Sequence, residues 1–348
     1  MEVLSLKSKK NNNAIHRVIW LTAALLAVAG ALCIAGCNSG KSGTSSQTDW
    51  EYEIVSDSCI RITGGQAKEE MPVIPEKIDG LTVTMIGSEA FAGSKMSGIS
   101  LPGTVRTVED SAFANCASLK QIDLSSVAVI GKQAFSGCTS LKTVKLGEEL
   151  NEMGAGVFEG CEKLMAIVIP SSVSVLPERA FSGCKGLTEA TFPDGMTQIG
   201  AYAFSDCAML RNPILPDSLE SIGEFAFLSC QSIEIVEVGN IKYGRGVWMD
   251  CRRLKNVTIT ARTNEIGDYL FAGCVSLTKI SIPEGVTSIG ESSFHFCTSL
   301  KRAEIPETVS NIGRNAFSDC DSLVIAAPET SAAQRYAVSF GIKYEKVS

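Results

Sequence analysis

Residues 279–300 read KISIPEGVTSIGESSFHFCTSL, and residues 303–323 read AEIPETVSNIGRNAFSDCDSL. Both carry an aromatic, then a cysteine three positions on, then an aliphatic three positions after that. The triple recurs along most of the chain. Its cysteines are Cys116, Cys138, Cys161, Cys184, Cys207, Cys230, Cys251, Cys274, Cys297 and Cys320, spaced 22, 23, 23, 23, 23, 21, 23, 23 and 23 residues apart. Its aromatics are Phe113, Phe135, Phe158, Phe181, Phe204, Phe227, Trp248, Phe271, Phe294 and Phe317. An eleventh copy starts at Phe91, with Ser94 in the cysteine slot. A fixed period of this size is the mark of a solenoid, in which one supersecondary unit stacks on the next.

From each aliphatic the pattern runs mostly L-x-x-I-x-I, as at Leu277, Ile280 and Ile282. That alternation gives a short strand with its apolar residues inward. Proline often follows, at Pro102, Pro170, Pro193, Pro216, Pro283 and Pro306. It cannot donate to a ladder, so it ends the strand. A second apolar pair comes next, such as Val286 and Ile289, commonly followed by glycine (Gly200, Gly223, Gly290, Gly313). One such unit cannot bury its apolar side alone. Stacked about 4.8 Å apart, eleven units make a rod roughly 50 Å long. The predicted fold is an α/β-type repeat solenoid of about eleven ~23-residue units with a parallel β-sheet on one face.

The pattern A-F-x-x-C-x-x-L-x-x-I-x-I-P-x-x-V-x-x-I-G resembles the BspA-type (Treponema pallidum-type) leucine-rich repeats of bacterial surface proteins. The resemblance covers about residues 50–348. It implies a leucine-rich-repeat fold and adhesion to host, matrix or neighbouring-cell protein or glycan.

The N-terminus carries an address. Lys7, Lys9, Lys10 and Arg17 precede an uncharged run from Val18 to Cys37. Its end, Ile34-Ala35-Gly36-Cys37, resembles a bacterial lipobox, which implies cleavage before Cys37 and a lipid on its thiol. An ordinary signal peptide or a transmembrane anchor is the alternative. The resulting division is a signal peptide at 1–36 and a flexible tether at 37–49. An N-terminal β cap follows at 50–90, the solenoid at 91–325 and a helix-plus-strand cap at 326–348. The chain without residues 1–36 holds 27 basic and 37 acidic side chains, which disfavours nucleic acid as a partner.

Both caps have sequence signals. Asp79-Gly80 between apolar residues predicts a hairpin. Ser331 and Gln334 form a capping-box pattern, and Ala333, Tyr336, Ala337 and Phe340 share one helical face. Gly341 stops that helix, and Ile342–Val347 reads as a closing strand.

Thirteen cysteines in an exported chain would ordinarily suggest disulfides. Here the slot repeats in register, so neighbouring Cα–Cβ vectors are parallel. A disulfide needs Cβ atoms about 3.8 Å apart and a dihedral near 90°, which this stacking does not supply. The ladder cysteines are therefore expected as reduced, buried thiols. Cys59 lies outside the ladder, either partly exposed or buried in the cap.

Catalytic signals are sparse. Once residues 1–36 are removed, His295 is the one histidine left, and it reads as a solvated turn residue. No C-x-x-C pair exists, so neither metal nor cofactor is expected. The best acidic pair on the strand face, Glu189 and Glu237, lies about 11–12 Å apart by strand geometry, too far for a glycosidase pair. The chain is not expected to be an enzyme.

Two surface features could bind a partner. Ala166, Val168, Ile214 and Ile235 are predicted to point outward from the strands, as an apolar patch or as scattered aliphatics. The short repeat after Val238 gathers Lys242, Tyr243, Arg245, Arg252, Arg253 and Lys255, either as a contact site or as a degenerate repeat. The expected protein is monomeric, anchored through an N-terminal lipid at the bacterial surface, and binds another protein or a glycan. The competing reading is a structural spacer with no specific ligand.

Overall fold

A computed structural model describes residues 42–44, 50–65 and 70–347. The signal segment and Cys37 lie outside the described residues. The chain winds into a parallel β-solenoid of short strands and turns, about 13 turns in all. Two turns beyond the eleven motif copies come from the caps, where Val73 bridges to Ser100 at one end and Lys343–Lys346 pairs with Val324–Ala327 at the other.

Most coils contribute to two rows of parallel strand pairing. The L-x-x-I-x-I segments form the main one, as in Ala166–Val168 against Glu189–Thr191 and Lys279–Ser281 against Arg302–Glu304. The second apolar pair forms another ladder of two-residue strands, such as Val175–Leu176 beside Gln198–Ile199. Pro170, Pro193 and Pro216 each accept a hydrogen bond from the residue three positions on, so each starts the turn between the two ladders. Strict register places like side chains above like. The aromatic column stacks ring on ring, at 5.1 Å between Phe113 and Phe135 and 5.1 Å between Phe294 and Phe317. Such pairs add about 0.5–1.5 kcal/mol beyond the area they bury.

The cysteines do more than fill space. Each ladder Sγ donates to the carbonyl of the aromatic in the preceding coil: Cys116 to Phe91 at 3.0 Å, Cys207 to Phe181 at 3.2 Å, Cys320 to Phe294 at 3.2 Å. The same carbonyls accept an N–H within their own coil, as Phe181 does from Cys184. Both lone pairs of a buried carbonyl are thereby used. A cysteine at position 94 would have no preceding aromatic to serve, and the slot holds half-exposed Ser94. Burial pushes the thiols of Cys161, Cys251 and Cys320 up to about 12, so they resist ionisation and attack. Cys59 is buried as well. The chain without residues 1–49 should therefore titrate close to eleven thiols when denatured without reductant. A value near half of that would show that disulfides form.

Backbone hydrogen bonds tie the turns together. In every coil but the last, three N–H groups around the aromatic donate to the next coil, for example Ser111 to Lys132, Phe113 to Ala134 and Asn115 to Ser136, at 2.8, 2.8 and 2.7 Å.

The N-terminal cap is β-structure, as predicted. Strands β2 (Trp50–Ser56) and β3 (Cys59–Gly65) pair antiparallel. Strand β1 (Ser42–Thr44) adds to β2, so this part of the expected tether is a strand rather than free chain. Its backbone finds partners on the exposed edge of β2. Lys77–Ile78 folds back on Leu81–Ile86 through Asp79 and Gly80, whose φ angles of 51° and 83° make the predicted tight turn. Trp50 packs edge-on against Phe91, 5.9 Å between centroids, and closes the aromatic column.

At the other end, helix α1 (Ala332–Phe340) begins at Ser331, whose side chain accepts from the Gln334 N–H, and ends at Gly341 in the left-handed region. The Gln334 side chain accepts from Thr330 rather than Ser331, one residue before the expected partner. Ala333, Tyr336 and Ala337 are buried against the last coil. Phe340 departs from expectation: it is 54% exposed and does not shield the coil.

Candidate binding surface

The main ladder presents its alternate residues to solvent. Ala166, Val168, Ile214 and Ile235 all face outward, with Val168 65% and Ile214 87% exposed. Thr191 stands beside Val168 in the register, between it and the coil of Ile214. Glu189, Asn212 and Glu237 are exposed around them, so the apolar centre is rimmed by polar groups.

The ladder breaks in this centre. Pro213 occupies the inward slot held by Ile167 and Val236 in other coils. Lacking an N–H, it cannot pair, and this coil adds no main-ladder strand between Glu189–Thr191 and Ile235–Val238. Asn212 spans the gap with its side chain, where Oδ1 accepts from the N–H groups of Glu234 at 2.8 Å and Ile235 at 3.1 Å. Ile214, the most exposed large apolar residue among those described, lies next to this break. The sequence held the signal, since N-P-I replaces the usual alternating triplet there.

The basic residues of the short repeat do not form one cluster. Lys242 and Tyr243 lie in the second ladder, opposite Ser221 and Ile222. The Tyr243 Oη accepts from the Gly239 N–H at 3.0 Å, and burial pushes its phenol up to about 12. Arg245 stacks on the Tyr269 ring at 4.1 Å. On the other side of the coil, Arg253 and Lys255 both bind Glu234, and Lys255 with Arg253 holds that carboxyl below its usual range. Arg252 is 3.9 Å from Asp250. Exposed pairs of this kind contribute little to stability. Trp248 replaces the core phenylalanine and stacks on Phe227 at 4.5 Å, but its indole N–H is buried without an acceptor.

His295 is less solvated than its sequence context suggests. Its Nδ1 lies 2.7 Å from Ser318 Oγ and 3.2 Å from Asp319 Oδ2. Serine and aspartate thus meet the same ring nitrogen. A nucleophilic triad needs them on opposite nitrogens, so this constellation ties two coils together and does not activate the serine. Both partners sit one coil away, beyond the reach of any local motif. Among the described residues no group of three His, Cys, Asp or Glu side chains is arranged to hold a metal. No described helix is long and apolar enough to cross a membrane.

The family model for the BspA type leucine rich repeat region, built of six copies, matches residues 77–188, 154–245 and 240–334. The chain belongs to the BspA-type leucine-rich-repeat family. Solved structures agree with this BspA-type fold. A leucine rich cell surface protein from Faecalibacterium prausnitzii is 26% identical, with TM-score 0.52, over 86% of this chain and 98% of its own. A leucine-rich repeat protein from Bacteroides ovatus shares the fold at 22% identity and TM-score 0.61, over 90% of this chain and 99% of its own. No curated protein matches the sequence. In this BspA-type chain most core slots keep the repeat pattern, and Pro213, Trp248 and the outward aliphatics fall in the central coils.

Proposed function

We propose that the protein is a lipid-anchored cell-surface receptor that binds a protein or glycan through the centre of its strand face, without catalysis. The observation that carries this reading is the exposed apolar centre, with Ile214 at 87% exposure beside the Pro213 break. Exposed apolar surface inside a polar rim is a common signature of a contact site. The description of the Faecalibacterium relative as a cell surface protein supports the location. Lipidation of Cys37 would supply the anchor, and the chain would act as a monomer.

The test is a screen of residues 50–348 against glycan, mucin and matrix-protein arrays, followed by variants. Val168→Glu with Ile214→Glu should weaken the best ligand about tenfold or more and leave the melting temperature unchanged, since both side chains face solvent. Arg252→Glu with Arg253→Glu tests the short repeat in parallel. Wild-type affinity in both variants removes both surfaces, and a blank screen favours the spacer. Cys37→Ala should leave an uncleaved, unlipidated precursor. Normal processing of that variant would refute the anchor.

A further inference from the structure

Among the described residues the coil-to-coil hydrogen bonds around the aromatic column fail only at the last coil. In ten successive coils the three turn donors are taken by the coil that follows, up to Ser292, Phe294 and Phe296, which donate to Arg314, Ala316 and Ser318. In the last coil the corresponding donors are Asn315, Phe317 and Asp319. The Phe317 N–H donates to Tyr336 Oη at 3.3 Å, so the closing helix imitates a twelfth coil at the middle position. The N–H groups of Asn315 and Asp319 have no acceptor among the described residues.

Beside Asp319, helix α1 and the final strand leave a notch of about 490 Å³. Its apolar walls are Leu323, Tyr336, Phe340 and Ile342. Asp319, Asp321 and Lys343 stand around it. Phe340 leans on Tyr336 at 4.5 Å while more than half its surface stays in solvent. Among the described residues Asp321 makes no ion pair, and Asp319 pairs only with the His295 ring, at 3.2 Å. The notch therefore offers a backbone donor, an aromatic wall and two carboxylates against one ammonium.

We propose that this notch binds an extended peptide segment with a lysine or arginine next to a large apolar residue. A peptide carbonyl would accept from the Asp319 N–H, as the next coil does everywhere else. The apolar side chain would cover Tyr336 and Phe340, and the cation would lie between Asp319 and Asp321, as in strand-addition recognition. A second copy stacked end to end fits worse. Trp50 already covers Phe91 and Tyr336 covers Phe317, at 5.9 and 6.0 Å, so the two end coils cannot meet.

The test uses the full chain against an array of peptides, each presenting one pair of adjacent residues in a glycine–serine frame. Binding should be confined to frames that join Lys or Arg to a large apolar residue. Phe340→Ser and the pair Asp319→Asn, Asp321→Asn should each weaken the best frame about tenfold, with only small losses in melting temperature because all three side chains are largely exposed. Val168→Glu with Ile214→Glu should leave it unaffected, which separates this site from the strand face. Hydrogen exchange at the Asp319 N–H should slow when that peptide is added. An array without a basic–apolar preference, or binding that survives both notch variants, overturns the proposal. Self-association that the peptide displaces would instead make a second copy the occupant and overturn it too.

Discussion

Gly147→Ala is expected to destabilise the rod by on the order of 3 kcal/mol, the upper range for overpacking. Gly147 stands where six other coils have proline, and a Cβ there would lie 2.0 Å from the Ser125 carbonyl oxygen and 2.6 Å from its carbon. Those atoms cannot swing aside. Ser125 is held from both its N–H, at 2.9 Å, and its hydroxyl, at 2.5 Å, by Asp123 Oδ1. The spacing from Cys116 to Cys138 is one residue shorter than usual, and Ser125 lies in that short coil. Gly195→Ala is the matched control, because a Cβ at Gly195 meets nothing within 4 Å. Chemical denaturation should separate the two variants clearly. Equal midpoints for both would mean that the coils yield where the geometry says they cannot.

Deleting residues 329–348 is expected to lower the melting temperature by several degrees and to cause concentration-dependent association. The deletion removes the acceptor for Phe317, the strand Lys343–Lys346 that covers Val324–Ala327, and the Arg302–Glu345 ion pair. An open main-ladder edge and an uncovered aromatic column would remain. Because each coil touches only its neighbours, the loss should start at that end. Hydrogen exchange should show protection falling first around residues 300–325. A truncated chain that stays monomeric and equally protected there would show that the cap is dispensable.

The periodic slots were readable because register alone determines them. Whatever the detailed path of a coil, every twenty-third residue must sit above its counterpart, so Phe135, Cys138 and Leu141 announce the core. Asp79-Gly80 and Ser331 were readable because turn and cap chemistry are local. The second ladder was not. A two-residue strand such as Gln198–Ile199 has no alternation of its own and exists only through its neighbours. The thiol hydrogen bonds were hidden for a similar reason, since donor and acceptor lie 26 residues apart in Cys207 and Phe181. The outward aliphatics of the strand face were placed correctly by alternation. The basic residues of the short repeat were not gathered as their adjacency suggested, because Arg245 and Arg252 sit on either side of Trp248 on separate turns. Phe340 was misjudged because helical spacing shows which residues share a face, but not where the underlying coil ends.

The thiol column makes the molecule its own recording instrument. Each full coil carries one sulfhydryl at one fixed depth, and nearly all are inaccessible in the folded rod. A thiol-alkylating reagent therefore marks a coil only while that coil is open. Peptide mapping of the labelled positions would yield an opening free energy for each coil from Cys116 to Cys320, without introducing a probe. The scale is even, one thiol per coil, from the second motif copy to the last.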